Sequence, residues 1–183
     1  TTLQNVTLSD FRTQNALPAG PLSNDQVTWR GTSSDERYVA GSADDVLDGD
    51  AGDDEILAGA GADTIEGGAG NDLLYGGAGD DVITDDDLTI THGQHIYGEG
   101  GNDTITGGGR IDGGDGDDTI TVTATGDTVW HSRVDGGAGD DTIIVPEGSE
   151  AGEIFSGAGN DTLTLSASTV HHIGTGEGDD NVT

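Results

Sequence analysis

The chain contains no cysteine and no methionine, three prolines, and only five lysine and arginine residues in 183. Without cysteine, no disulfide framework can hold it. Five cations stand against 36 aspartates and glutamates, for a formal charge of −31. That balance argues against nucleic acid as a partner, because such binding depends on neutralising phosphates with Lys and Arg. Aromatic residues make up 4%, too few for a large aromatic core. No run of about 18 apolar residues occurs, so membrane insertion is not expected. No signal peptide is recognisable, and Thr1 stands where an initiator Met would. We therefore expect a chain that is processed or cut from something longer.

What is present is equally lopsided. Glycine accounts for 34 residues, without the G-X-Y period of collagen. Acidic chains poor in aromatics are usually disordered, because they bury too little apolar surface to offset chain entropy. The competing reading makes the carboxylates ligands and the missing positive charge metal. Composition alone favours disorder, whereas arrangement favours the metal.

From Ala40 the sequence falls into nines: AGSADDVLD, GDAGDDEIL, AGAGADTIE, GGAGNDLLY and GGAGDDVIT, ending at Thr84. GTSSDERYV, from Gly31, is a degenerate copy in the same frame, with Ser34 at its fourth position and Glu36 at its sixth. The motif then returns as GEGGNDTIT from Gly98, GGDGDDTIT from Gly113, GGAGDDTII from Gly136, SGAGNDTLT from Ser156 and TGEGDDNVT from Thr175. These starts lie 15, 23, 20 and 19 residues apart, close to two nonapeptides. Two positions before each returning motif stands an apolar residue: Ile96, Ile111, Val134, Ile154 and Ile173. The same rule places Trp29 and Tyr38 before the copies at 31 and 40. Each coil is therefore strand, glycine turn, strand, return loop, and about eight coils result.

One edge of this solenoid carries turns starting at 40, 58, 76, 98, 113, 136, 156 and 175. On the other edge only the turns at 49 and 67 match well, with 31 a poor match. The rest are replaced by segments of unequal length, Asp85–Gln94, Gly107–Gly109, Val122–His131, Val145–Gly152 and Leu165–His171, as loops on one face of a repeat array are.

Calcium takes 6–8 oxygen ligands at about 2.3–2.6 Å. Glycines at positions one, two and four let a turn fold its carbonyls inward, and the aspartate at position six adds a carboxylate. One turn offers too few oxygens, whereas two turns stacked about 4.8 Å apart can hold an ion between them. The position-eight residues Leu47, Ile56, Ile65, Leu74, Ile83, Ile105, Ile120, Ile143, Leu163 and Val182 point inward as two thin aliphatic stacks. So narrow a core is not expected to hold aligned aspartates together without metal, and folding is expected to be coupled to calcium. Seven gaps on the first edge and one on the second would take about eight ions, if each gap holds one.

GGAGND and GGAGDD followed by x-aliphatic-x resemble the RTX, or haemolysin-type calcium-binding, nonapeptide repeat, over about residues 40–183. The resemblance implies an all-β fold, a parallel β-roll or β-solenoid with a calcium ladder along one edge. It implies export by type I secretion, an extracellular location, and a bacterial source. Carried over position by position, the metal ligands are Asp45, Asp54, Asp63, Asp72, Asp81, Asp103, Asp118, Asp141, Asp161 and Asp180. Most second-edge turns depart from the motif, which leaves Asp54 and Asp72 as the pair expected there.

Other signals are weaker. His92, His95, His171 and His172 read as solvated loop residues, and no HExxH zinc motif occurs. GSEAG at Gly148–Gly152 puts serine in the wrong place for a nucleophile elbow, so the chain is not expected to be an enzyme. The position-five aspartates (Asp44, Asp53, Asp80, Asp117, Asp140, Asp179) read as turn formers rather than ligands. Thr119, Thr121, Thr162 and Thr164 read as ordinary strand residues, and Trp29 as an N-terminal cap. Residues 1–30 are expected to form a non-repeat segment, a cap or an inter-subunit strand. Residues 31–84 would form a tandem β-roll with calcium turns on both edges, and 85–183 a solenoid with calcium turns on one edge. Val182 stands next to the last residue with no polar cap after it. We accordingly expect a structural protein that assembles end to end as a homo-oligomer, a filament, matrix or surface layer, in contact with other extracellular components. The alternative is a secretion and folding module of a larger exoenzyme, toxin or adhesin. A glycan-binding module, using Trp130 and Arg133, is a third reading.

Overall fold

The computed structural model describes residues 24–85, 93–123, 132–166 and 168–183. Among these residues, seventeen strands, numbered β1 to β17 along the chain, alternate between two parallel sheets. The nine-stranded sheet holds β1 (Thr28–Arg30), β3 (Val46–Asp48), β5 (Thr64–Glu66), β7 (Val82–Thr84), β9 (Thr104–Gly107), β11 (Thr119–Val122), β13 (Thr142–Val145), β15 (Thr162–Leu165) and β17 (Asn181–Val182). The eight-stranded sheet holds β2 (Arg37–Val39), β4 (Glu55–Ala60), β6 (Leu73–Ala78), β8 (His95–Gly100), β10 (Arg110–Asp115), β12 (Arg133–Ala138), β14 (Glu150–Ala158) and β16 (Thr169–Gly174). Each strand pairs with the one two places on, so the chain winds as a parallel β-solenoid. The expected fold class is what the chain adopts.

Register follows from the period of two in a strand. Leu47, Ile65, Ile83, Ile105, Ile120, Ile143 and Leu163 lie in one column. Ile56, Leu74, Ile96, Ile111, Val134 and Ile154 lie in the facing one. All are buried. One slip of register would turn every one of these residues outward. Val182 ends the first column but is 47% exposed, and Ile173 ends the second at 37%. At the other end Trp29 sits over Leu47 and Tyr38 over Ile56, and their rings stack with centroids 4.5 Å apart. This aromatic pair closes the N-terminal mouth of the aliphatic channel.

Outside, Thr104, Thr119, Thr142 and Thr162 are in register, but the neighbouring threonine column is broken by Ile144. His92, Trp130 and the segment 1–23 lie outside the described residues.

Candidate metal centre

The first edge is built from the turns that join β2 to β3, β4 to β5, and so on to β16 and β17. In the turn between β6 and β7, Gly77 and Gly79 have φ of 112° and 130°. A Cβ at either would strike a carbonyl oxygen of the coil below, Gly59 O or Gly61 O. Positive φ and close stacking together demand glycine there. Position two tolerates two exceptions, Asp50 and Glu99, at φ of 70° and 75°.

This stacking brings the position-six aspartates into single file. The Asp45 amide donates to Asp63 Oδ1 at 2.7 Å, Asp63 to Asp81 at 2.7 Å, Asp81 to Asp103 at 2.8 Å and Asp103 to Asp118 at 2.8 Å. Asp118 donates to Asp141 at 2.8 Å, Asp141 to Asp161 at 2.9 Å, and Asp161 to Asp180 at 3.0 Å. Asp45 Oδ1 in turn accepts the Val27 amide at 2.6 Å. Eight carboxylates thus form one unbroken ladder, with Asp45 through Asp161 no more than 2% exposed.

The ladder uses Oδ1 of each carboxylate, and at Asp45 the other oxygen also accepts the Gly41 amide at 3.4 Å. Oδ2 of Asp63, Asp81, Asp103, Asp118, Asp141 and Asp161 is buried and accepts no hydrogen bond. These oxygens face the position-one residue of their own turn and the position-one carbonyl of the next coil. A point one bond from the Gly76 α-carbon lies 3.0 Å from Gly98 O and close to Asp81 Oδ2. At Gly136 the same point is 2.5 Å from Asp141 Oδ2, close to Ser156 O. Positions 40, 58 and 156 carry Ala, Ala and Ser, so a single Cβ is tolerated there.

Such an arrangement has too much negative charge to stand alone. At a spacing of roughly 4.8 Å, neighbouring carboxylates repel by about 3 kcal/mol per pair at an effective dielectric constant of about 20. Burial, with neighbouring aspartates adding to it, pushes the carboxyls of Asp81 and Asp118 up to about 7 and that of Asp141 up to about 6. Asp63 and Asp103 are also raised, chiefly by burial. Each carboxylate would take up a proton or hold a cation. Among the described residues no three His, Cys, Asp or Glu side chains converge on one point. An ion here would draw on carboxylate oxygens together with main-chain carbonyls. An all-oxygen donor set with no nitrogen or sulfur suits a hard divalent cation, so the residues fit calcium.

The second edge repeats the pattern only in its first coils. Between β3 and β4, Asp54 is buried, its Oδ2 accepts no hydrogen bond, and a point beside Gly49 lies 2.6 Å from that oxygen. The Glu36 amide donates to Asp54 Oδ1 at 2.7 Å, and the Asp54 amide to Asp72 Oδ1 at 2.8 Å. Burial raises the Asp54 carboxyl to about 6. The degenerate turn between β1 and β2 satisfies itself instead: Glu36 accepts the Thr32 amide at 3.0 Å and the Thr32 hydroxyl on its other oxygen. Past Asp72, position one is taken by Asp85, which is fully buried. Beyond it the equivalent strand ends are Gly107, paired with Val122, and Val145, paired with Leu165. Val122 and Val145 are buried. Carboxylate gives way to hydrocarbon.

The sequence reading missed Asp85 as a buried group, although it lies 18 residues after Gly67 and so falls at position one of the same frame. The position-five aspartates prove structural for a different reason from the one expected. They do not take positive φ. Their carboxylates accept amides from the coil above: Asp44 from Ala62, Asp53 from Asn71, Asp80 from Asn102, Asp117 from Asp140 and Asp140 from Asn160. His95 bonds Tyr97 at 3.1 Å, and Arg133 pairs with Asp135 at 2.7 Å while lying over Phe155.

Fold and site together define a parallel β-solenoid whose turns carry stacked, buried carboxylates. The family model of the RTX calcium-binding nonapeptide repeat matches residues 30–65, 57–84, 95–109, 110–130, 132–145 and 153–167. The chain belongs to that family of calcium-binding repeats, which are typically found in proteins secreted by bacteria. No curated protein and no solved structure matches it. Among the described residues, no helix is long and apolar enough to cross a membrane.

Proposed function

We propose that the chain is an extracellular structural protein whose solenoid folds on calcium. Asp45, Asp63, Asp81, Asp103, Asp118, Asp141, Asp161 and Asp180 hold ions in the gaps of the first edge. Asp54 and Asp72 hold one on the second. The observation that carries this reading is the unbroken ladder of carboxylates in which the second oxygens of Asp63, Asp81, Asp103, Asp118, Asp141 and Asp161 are buried and accept no hydrogen bond. Calcium would supply there the positive charge that the five cationic residues of the chain cannot. In this reading the chain is secreted by bacteria and folds outside the cell, where calcium is plentiful.

The finer part of the proposal is end-to-end assembly. The last coil presents Val182 and Ile173 on the open side of both sheets. A further coil seated there, from a second copy or from a longer chain, would bury them and continue both sheets and the first-edge ladder. Heterologous contacts of this kind produce filaments. The competing reading, a folding module within a larger secreted protein, supplies the coil in cis.

Light scattering in millimolar calcium and again in excess chelator tests both parts. Calcium-dependent polymers support the whole proposal. A compact monomer that appears only with calcium removes assembly and favours the module. Indifference to chelator overturns the calcium reading itself.

A further inference from the structure

Asp85 lies outside every nonapeptide, and nothing in the repeat pattern assigns it a task. Its side chain is fully buried at the end of β7, on the second edge. A point one bond from the Gly67 α-carbon lies 2.7 Å from Asp72 Oδ2 and 3.0 Å from Asp85 Oδ2. Two carboxylate oxygens from successive coils therefore converge on one spot.

The gap one coil below shows what normally stands there. A point beside Gly49 lies 2.6 Å from Asp54 Oδ2, and the oxygen facing it is the main-chain carbonyl of Gly67. Asp54 Oδ2 is itself buried and accepts no hydrogen bond. In the upper gap Asp85 Oδ2 takes the place of that carbonyl. A neutral donor has been exchanged for a charged one, at the last coil before the column turns to Val122, Val145 and Leu165.

We infer that Asp72 and Asp85 form a second-edge divalent-cation site of their own, a two-carboxylate calcium site that terminates the short acidic column. The inference rests on the reading of the repeat carboxylates as calcium ligands. The alternative is a carboxyl–carboxylate pair sharing one proton, as close like charges do. Charge balance separates the two. A shared proton leaves one net negative charge buried between Asp54 below and hydrocarbon above, which is costly in a medium that hydrates it poorly. One divalent ion neutralises both carboxylates. Higher ligand charge also tightens calcium binding, so this site is expected to fill at a lower calcium concentration than the gaps held by one carboxylate and carbonyls.

The test is an ion count by native mass spectrometry of the full chain at saturating calcium, for the unsubstituted protein, Asp85→Asn and Asp85→Val. Valine is the residue the chain itself uses in this column at 122 and 145. Each variant is expected to carry one calcium fewer, with unchanged far-UV circular dichroism. An undiminished count in a folded variant overturns the site and favours the shared proton. If neither variant folds, the Cγ resonances of the unsubstituted protein decide. Asp72 and Asp85 moving together as calcium is added support the site, and Asp85 remaining still overturns it. An unsubstituted chain that binds no calcium would overturn the function proposed above. A chain that binds its ladder of ions but loses none on substitution overturns only the inference drawn here.

Discussion

The two edges of this solenoid belong to the same coils, yet they fill the space beneath their turns in opposite ways. On the first edge that space is lined throughout by position-six carboxylates and main-chain carbonyls. On the second, among the described residues, it is acidic in the first coils, at Glu36, Asp54, Asp72 and Asp85. Thereafter it is closed by Val122 and Val145, both buried. The acidic solution fixes turn length, because every oxygen must arrive at its place, and all eight first-edge turns keep one pattern. The apolar solution leaves turn length free, because a valine at the strand end needs nothing from the loop that follows. Hence the second-edge connections vary while the first-edge turns do not.

This contrast makes the first edge conditional on the ion along its whole length, and the second edge only at its first, acidic coils. Removal of calcium is expected to have the largest effect of any perturbation. With the ion stripped at neutral pH, the buried ladder repels itself, and the chain is expected to lose its β-sheet circular dichroism cooperatively. Readdition of calcium restores it. A stripped protein with an intact spectrum would show that the apolar edge alone suffices.

Acid should partly replace calcium. In the metal-free chain the carboxyls of Asp81 and Asp118 are raised to about 7, and those of Asp54 and Asp141 to about 6, with burial the main cause. Unfolded aspartate titrates near 3.9. Between those values the folded chain binds more protons than the unfolded one, so its stability falls as pH rises. Protein freed of calcium on a chelating resin is therefore expected to be more folded at pH 5 than at pH 8. In the presence of calcium the sign reverses, because protons compete for the same oxygens and acid raises the calcium midpoint. Circular dichroism at both pH values, with and without the ion, measures all four states.

Single substitutions can compare the edges directly. Asp118→Ala removes the acceptor of the Asp103 amide and interrupts the ladder, and is expected to cost about 3 kcal/mol or more. Asp118→Asn keeps an acceptor but removes the carboxylate charge from its gap, so it should lose calcium while losing less stability in its absence. On the other edge, Val145→Ala leaves a cavity worth about 2 kcal/mol and should leave the bound calcium count unchanged. Denaturant melts paired with metal analysis separate the three. A calcium loss in Val145→Ala would show that the edges are coupled rather than independent.

Much of this was legible in the sequence because the nonapeptide fixes strand, turn and inward residue at once. The frame predicted the inward columns from Leu47 to Leu163, and even Trp29 and Tyr38, from a spacing of two before each motif. What it did not show lay where the motif fails. Asp85 carries no glycine neighbour to mark it as a turn residue, so only the 18-residue offset from Gly67 reveals it. Val122 and Val145 read as the starts of loops because they follow the nine, whereas in space they extend the core. Position-five aspartates were legible as structural, but their partners are amides one coil away, and a turn seen in isolation gives no hint of a neighbour above.

Those position-five residues supply the smallest expected effect and the finest contrast. Position six accepts amides from the coil before it, as Asp103 does from Asp81, while position five accepts from the coil after it, as Asp117 does from Asp140. The inner ladder runs unbroken from Asp45 to Asp180 and is buried as far as Asp161, whereas the outer one is exposed and is interrupted at Ala62, which has no side-chain acceptor. The outer ladder already alternates between acid and amide: Asn102 Oδ1 accepts from Asp117, and Asn160 Oδ1 from Asp179. A carboxylate there is therefore interchangeable with an amide, since either offers Oδ1 to the next backbone. Asp117→Asn is expected to change stability by less than about 0.5 kcal/mol and to leave the calcium count intact. If it instead lost an ion, as Asp118→Asn should, the outer carboxylates would be ligands too, and the distinction between a hydrogen-bonding ladder and a metal-binding one would fail at its narrowest point.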